Sequence, residues 1–175
     1  MTPRRLLAAT AVLAAAGGGA AAVATAQVAD SAAVRITARG ANGVTLGKRH
    51  RVLREQGRVG RLRTGCELAG PGTHAARLRR PLQGSVDYRK SSPPRVKSLT
   101  ITGGSVSAKG VRIGSTMAQV QAAFPHARVN HGTDETFSWT LVTAPRRDGG
   151  RIGFAVDVDT GAVSIIGVPV IATCE

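Results

Sequence analysis

Apolar residues in the second half of the chain follow two rhythms. Met117, Val120 and Phe124 recur at helical spacing and lay one apolar stripe on a short helix. Thr116, with Gln119 three residues on, forms a capping box at its start, and Pro125 terminates it. Downstream the period shortens to two. Strands are expected at about 135–144 (Phe137, Trp139, Leu141), 151–158 (Ile152, Phe154, Val156, Val158) and 162–170, with Asp159-Thr160-Gly161 turning between the last two.

The first half carries a weaker version of the same pattern. A helix over about 48–56 offers Val52 and Leu53 to a core and ends with Gly57 in the C′ position. Strands follow near 76–81, 84–90 and 95–102, with Ser91-Ser92-Pro93-Pro94 looping between the last two. The segment 33–38 predicts a leading strand, and 103–109 reads as a linker.

Set against itself, the chain shows an internal echo. Gly43-Val44-Thr45-Leu46-Gly47 returns as Gly110-Val111-Arg112-Ile113-Gly114, an offset of 67, which also aligns Leu53 with Val120, Val96 with Val163, Leu99 with Ile166 and Ile101 with Val168. One residue less aligns Gly84, Val86 and Tyr88 with Gly150, Ile152 and Phe154. The expected fold is α+β: two tandem repeats, 27–109 and 110–175, each a short helix followed by an antiparallel β-meander, with the helices packed on one sheet face.

The Gly-Val-x-Ile-Gly-Ser-Thr-x-x-x-Val entry of residues 110–120, followed by a meander and used twice, resembles the repeats of beta-lactamase inhibitory protein and of the small lipoproteins of outer-membrane assembly. It is also similar to uncharacterised secreted bacterial proteins of tandem arrangement. The resemblance spans about 43–104 and 110–170 and implies a protein that binds other proteins and does not catalyse. The chain departs from those repeats in having one short helix per repeat and few surface aromatics.

The first 26 residues read as a cleavable signal peptide. Arg4 and Arg5 precede an uncharged run from Leu6 to Val23, and Ala24-Thr25-Ala26 gives the small-x-small pattern that signal peptidases accept. Cleavage after Ala26 leaves a secreted chain with no transmembrane anchor, by a Sec or a Tat route. Two cysteines follow, Cys66 and Cys174, and an even number in an exported protein predicts a disulfide. That bridge closes a loop of about 109 residues, worth roughly 2–4 kcal/mol.

Charge changes the picture most. Residues 27–109 hold seventeen Lys and Arg against four Asp and Glu, a net +13, whereas 110–175 hold five against six, a net −1. Lys48, Arg49, Arg51, Arg54, Arg58, Arg61 and Arg63 crowd the first helix and its exit, and Arg77, Arg79 and Arg80 sit on the strand after Cys66. Such a face attracts polyanions with a salt-dependent pull. Specific nucleic-acid recognition is disfavoured: aromatics are 3% of the chain and no base-reading motif is present. The nearer polyanions for an exported protein are phosphate-rich wall polymers and anionic lipid headgroups.

Catalytic signatures are missing from the sequence. There is no GxSxG and no HExxH, and the Ser115 and Thr116 hydroxyls open a helix. His126, His131, Asp134 and Glu135 form the one dense set of weak metal-ligand candidates, and Asp157 with Asp159 is explained by the hairpin turn. No cofactor is expected. Three functions therefore stand in order: an extracellular binding module for a protein partner, an electrostatic binder of anionic wall polymers or membrane surfaces through the basic first repeat, and an enzyme with dispersed active-site residues.

Overall fold

The structure is a computed structural model and describes residues 34–66, 72–146 and 149–172. Residues 1–26, where a signal peptide is expected, and Cys174 lie outside the described residues. The fold is mixed α+β, with three short helices and twelve strands among the described residues.

The chain opens on β1 (Val34–Thr37), β2 (Gly40–Ala41) and β3 (Val44–Thr45), then runs through α1 (His50–Glu55), β4 (Arg63–Thr64), β5 (His74–Arg77), β6 (Leu82–Tyr88), β7 (Val96–Gly104) and β8 (Val106–Ser107). It continues through α2 (Met117–Ala123), β9 (Arg128–Asn130), α3 (Asp134–Phe137), β10 (Trp139–Pro145), β11 (Arg151–Asp157) and β12 (Val163–Val168). Eight strands make one antiparallel sheet in the order β4-β5-β6-β7-β12-β11-β10-β9. A small sheet, β3-β2-β1-β8, is antiparallel except where β1 runs parallel to β8.

Alternation sorts the large sheet into two faces. Ala76, Val86, Leu99, Val168 and, one row on, Ile101, Ile166, Phe154 and Val142 are ladder partners of one another and are buried. Both longer helices press onto this face. Leu53 of α1 and Val120 of α2 are fully buried in the same cluster, the His50 ring meets Tyr88 edge-on at 5.3 Å, and Phe124 packs on Phe154 at 5.4 Å.

The helix ends follow the sequence signals. In α2 the Thr116 hydroxyl accepts from the Gln119 N–H at 3.3 Å, and the Gln119 side chain accepts from the Thr116 N–H at 2.9 Å, so two orphan donors are satisfied reciprocally. Thr116→Ala is expected to cost about 1 kcal/mol, read as a lower urea midpoint with an unchanged m-value. In α1, Gly57 (φ +66) donates to Arg54 O while Arg58 N–H reaches back to Leu53 O, the paired bonds of a Schellman turn that requires a residue at positive φ.

Four expectations shift. Residues 135–144 are not a single strand: α3 occupies 134–137, with Asp134 and Glu135 favourably placed in its first turn, and Ser138 at φ 55 ends it before β10 begins. Phe137 stacks on Trp139, ring centroids 5.3 Å apart, so the two share a surface where alternation read them as strand neighbours. The 103–109 linker is structured, because β7 runs to Gly104 and Val106 pairs with Val34. The strand set at 76–81 is β5 at 74–77, since Leu82 N–H bonds to Arg79 O and turns 78–81 into β6. Finally α1 is His50–Glu55 within the expected 48–56, and beside Leu53 it buries His50 while Val52 stays half-buried.

Past β12 the chain doubles back over the face that lacks helices. Gly153 and Gly167 are direct ladder partners, and the Val170–Ile171 backbone lies on them. A Cβ at Gly167 would meet Ile171 N at 2.5 Å, and one at Gly153 would meet Ile171 Cγ1 at 3.3 Å, so this return needs bare backbone beneath it. No helix among the described residues is long and apolar enough to cross a membrane.

Candidate anion-binding groove

On the helix-free face, β4, β5 and β6 bring together side chains far apart in sequence. Arg63 stands opposite Ala75, which stands opposite Asp87, and Arg77 stands opposite Ser85. Gln83 and Ser85 share this side of β6 by alternation, and Arg80 projects from the turn between β5 and β6. Arg63, Arg77, Arg80, Gln83 and Ser85 line an open hollow of about 490 Å³. A second hollow of about 590 Å³ shares Arg77, Leu78 and Arg80 with the first and is bounded also by Arg79 and by Gly57 and Gly60 on the exit from α1. Both volumes fall within the roughly 300–1,000 Å³ typical of ligand sites.

The fold fixes these positions through backbone bonds. Gly60 N–H donates to Arg77 O, Arg79 N–H donates to Arg58 O, and Val59 bridges to Leu78. The exit from α1 is thereby stitched to the β5–β6 turn, with Val59 and Leu78 buried beneath the arginines as an apolar floor. The guanidinium groups themselves are exposed at Arg63, Arg77, Arg79 and Arg80.

Their electrostatics are one-sided. Among the described residues Arg51 is the one arginine in an ion pair, to Glu55 at 2.8 Å. Asp87 stands on β6 opposite Ala75, on the same side of the strand as Gln83 and Ser85. Burial pushes it above the usual carboxylate range, against a hydrogen bond from Ser98 Oγ at 3.2 Å and the attraction of Lys97 and Arg63. A carboxyl whose folded-state value is raised is easier to protonate in the fold than in the unfolded chain, so stability increases as pH falls through that value and is lost as pH rises. Asp87→Asn, which keeps an acceptor for Ser98, is therefore expected to raise the melting temperature at neutral pH. It should also flatten the melting-temperature profile just above the reference value of 3.8. An unchanged profile between pH 4 and pH 7 would contradict this placement of Asp87.

The other basic candidates disperse. Lys48 Nζ donates to Gly43 O at 3.2 Å and to Gln56 Oε1 at 3.0 Å, and Arg58 Nη1 donates to Asn42 Oδ1 at 3.0 Å, so both serve local structure. Arg49 caps α1 without a side-chain bond, and Arg61 is exposed beyond it. Arg51 and Arg54 flank a hollow that also holds Glu55, which suits an anion poorly. Gln83, Ser85 and Asp87 were missed by sequence reasoning, although their positions on alternate residues of a strand beside Arg77 carried the signal.

The weak metal-ligand candidates do not gather. His131 Nδ1 lies 2.9 Å from Asp134 Oδ2, and this hydrogen bond holds the Asp134 carboxyl below the usual range. His126 and Glu135 are exposed, and no three His, Cys, Asp or Glu side chains among the described residues are placed to share an ion. Asp157 accepts from the Thr160 N–H and hydroxyl, both at 2.8 Å, as a turn-closing residue.

These features define an α+β protein with an open, arginine-lined groove on the bare face of its main sheet. Set against known proteins, the chain matches no family model, no curated protein and no solved structure.

Proposed function

We propose that the chain is a secreted, non-catalytic binding module that holds anionic polymers or anionic surfaces of the cell envelope through its basic first repeat. The observation that carries this reading is the pair of hollows sharing Arg77 and Arg80, lined by exposed arginines that form no ion pair among the described residues. Exposed guanidinium forks are suited to bidentate contact with oxyanions. The mature chain, begun at Gln27, is expected to bind an anionic matrix at low salt and to elute as salt rises. Retention that ignores salt would argue against it.

The two-repeat architecture belongs to this reading, and several equivalences at the offset of 67 support it. Gly47 N–H donates to Val96 O and Gly114 N–H to Val163 O; Val96 N–H donates to Lys48 O and Val163 N–H to Ser115 O. Arg49 bridges Arg95 as Thr116 bridges Ala162. Asn42 and Lys109 share φ near +50. At the sheet centre, Leu99 pairs with Val168 while their counterparts Ile166 and Ile101 pair with each other, the reciprocal pattern of a two-fold contact. On this reading each repeat is a helix followed by four strands, and β7 and β12 join them.

The Cys66–Cys174 bridge is part of the same proposal. Counting antiparallel neighbours from β4 to β12 gives those strands one direction, so the chain leaves both at the same end of the sheet. Thiol titration of the exported protein is expected to find no free thiol before reduction and two after it.

A protein partner is the second reading, favoured by the stack of Phe137 at the end of α3 on Trp139 at the start of β10, toward the opposite end of the sheet from the arginines, with exposed Val158 held beside them by its N–H bond to Ser138 O. Trp139→Ala separates the two readings. It should leave anion binding intact and abolish capture of a defined partner.

A further inference from the structure

We infer that the two hollows sharing Arg77 and Arg80 take successive phosphate groups of one linear phosphate polymer, an inference that rests on the anion-binding reading above. The hollows share Arg77, Leu78 and Arg80, and each adds a different arginine, Arg63 on one side and Arg79 on the other. The two hollows are separate, with volumes of about 490 and 590 Å³. A chain running past Arg77 and Arg80 places one anion in each hollow and lets the shared arginines contact both.

The chemistry of the lining selects phosphate. A carboxylate is planar, and one or two guanidinium forks in its plane satisfy it. A phosphate is tetrahedral and accepts donors from several directions at once. The first hollow offers such a set: Arg63 from β4, Arg77 from β5, Arg80 from the turn, and the neutral donors Gln83 and Ser85 from β6. The second hollow is bounded on one side by Gly57 and Gly60, where no side chain obstructs the path of a polymer backbone.

Two linked sites make chain length the readout. Once one phosphate is seated, the next binds from a high effective concentration, so a chain binds far better than a single ion of equal chemistry. The openness of both hollows to solvent suits a polymer that passes through, with no end to enclose.

The test is titration of the full mature chain at fixed ionic strength with four probes: inorganic phosphate, long-chain inorganic polyphosphate, polygalacturonate, and phosphatidylglycerol vesicles. Polyphosphate, counted per phosphate, is expected to bind at least about tenfold more tightly than inorganic phosphate, and more tightly than polygalacturonate counted per charge. Arg80→Gln, which touches both hollows, should weaken polyphosphate binding by about tenfold, while Arg128→Gln on the distant edge strand β9 leaves it unchanged. Arg63→Gln is the second variant, and the melting temperature of each shows that it has folded. Equal binding of polygalacturonate, or binding to vesicles alone, overturns the phosphate-chain inference while leaving the wider anion-binding reading in place. Binding to none of the four overturns both.

Discussion

Phe154→Ala is expected to remove about 3–5 kcal/mol of folding stability, a large part of the roughly 5–15 kcal/mol typical of a domain. Phe154 is fully buried, pairs with Val142 on one side and Ile166 on the other, and carries the Phe124 ring from α2. Truncation leaves a cavity beneath the helix that the ladders on both sides prevent from collapsing. Phe137→Ala supplies the internal comparison. Its ring is half-buried and stacked on Trp139, so the cost should stay near 1 kcal/mol. Urea denaturation of the two variants measures both, and equal losses would contradict the division into a core face and a bare face.

The second large effect is on binding. With Arg63, Arg77 and Arg80 all replaced by Gln, affinity for a phosphate polymer is expected to fall by at least about 100-fold at low salt, from roughly tenfold per charged contact. The slope of log affinity against log salt should shrink by about 2, close to 0.7 for each lost contact with a flexible chain. The residual slope reports the remaining basic side chains, among them Arg54, Arg61 and Arg79, which are exposed around α1 and the β5–β6 turn. A slope unchanged by the triple substitution would show that the charge acts diffusely and that the groove has no special part in it.

Much of the second half was legible in the sequence because its periods are strong and unshared. The capping box, the apolar stripe of α2, strands β11 and β12 and the turn at Asp159 all have chemistry that admits one local structure. The elements that escaped lack such a period. β9 is exposed at all three residues and β4 at both, so neither shows alternation, and each exists because a longer neighbour offers it a ladder. Around α3, Phe137 and Trp139 are two apart, which fits a strand, yet Asp134 and Glu135 favour a helical turn and the aromatic stack settles the matter locally.

The site was legible in part for a similar reason. Composition located the excess of arginine, and the sequence run identified Arg63, Arg77, Arg79 and Arg80. What sequence spacing does not encode is which of them meet. Arg63 reaches Arg77 through the β4–β5 ladder, and Arg80 joins them through a turn whose position was off by a few residues. His50 is the reverse case. It lies in an arginine-rich run and yet is buried, its Nε2 3.0 Å from Gly60 O and its ring packed on Tyr88.

The return of Val170 and Ile171 over the Gly153–Gly167 pair also sets an order in time. That stretch rests on backbone from two strands at once, so it has nothing to settle on until β11 and β12 have come together. It is therefore a late arrival during folding and an early departure on unfolding. A probe attached at Val170, which is half exposed at 50%, would serve as a clock for the assembly of the second half of the sheet.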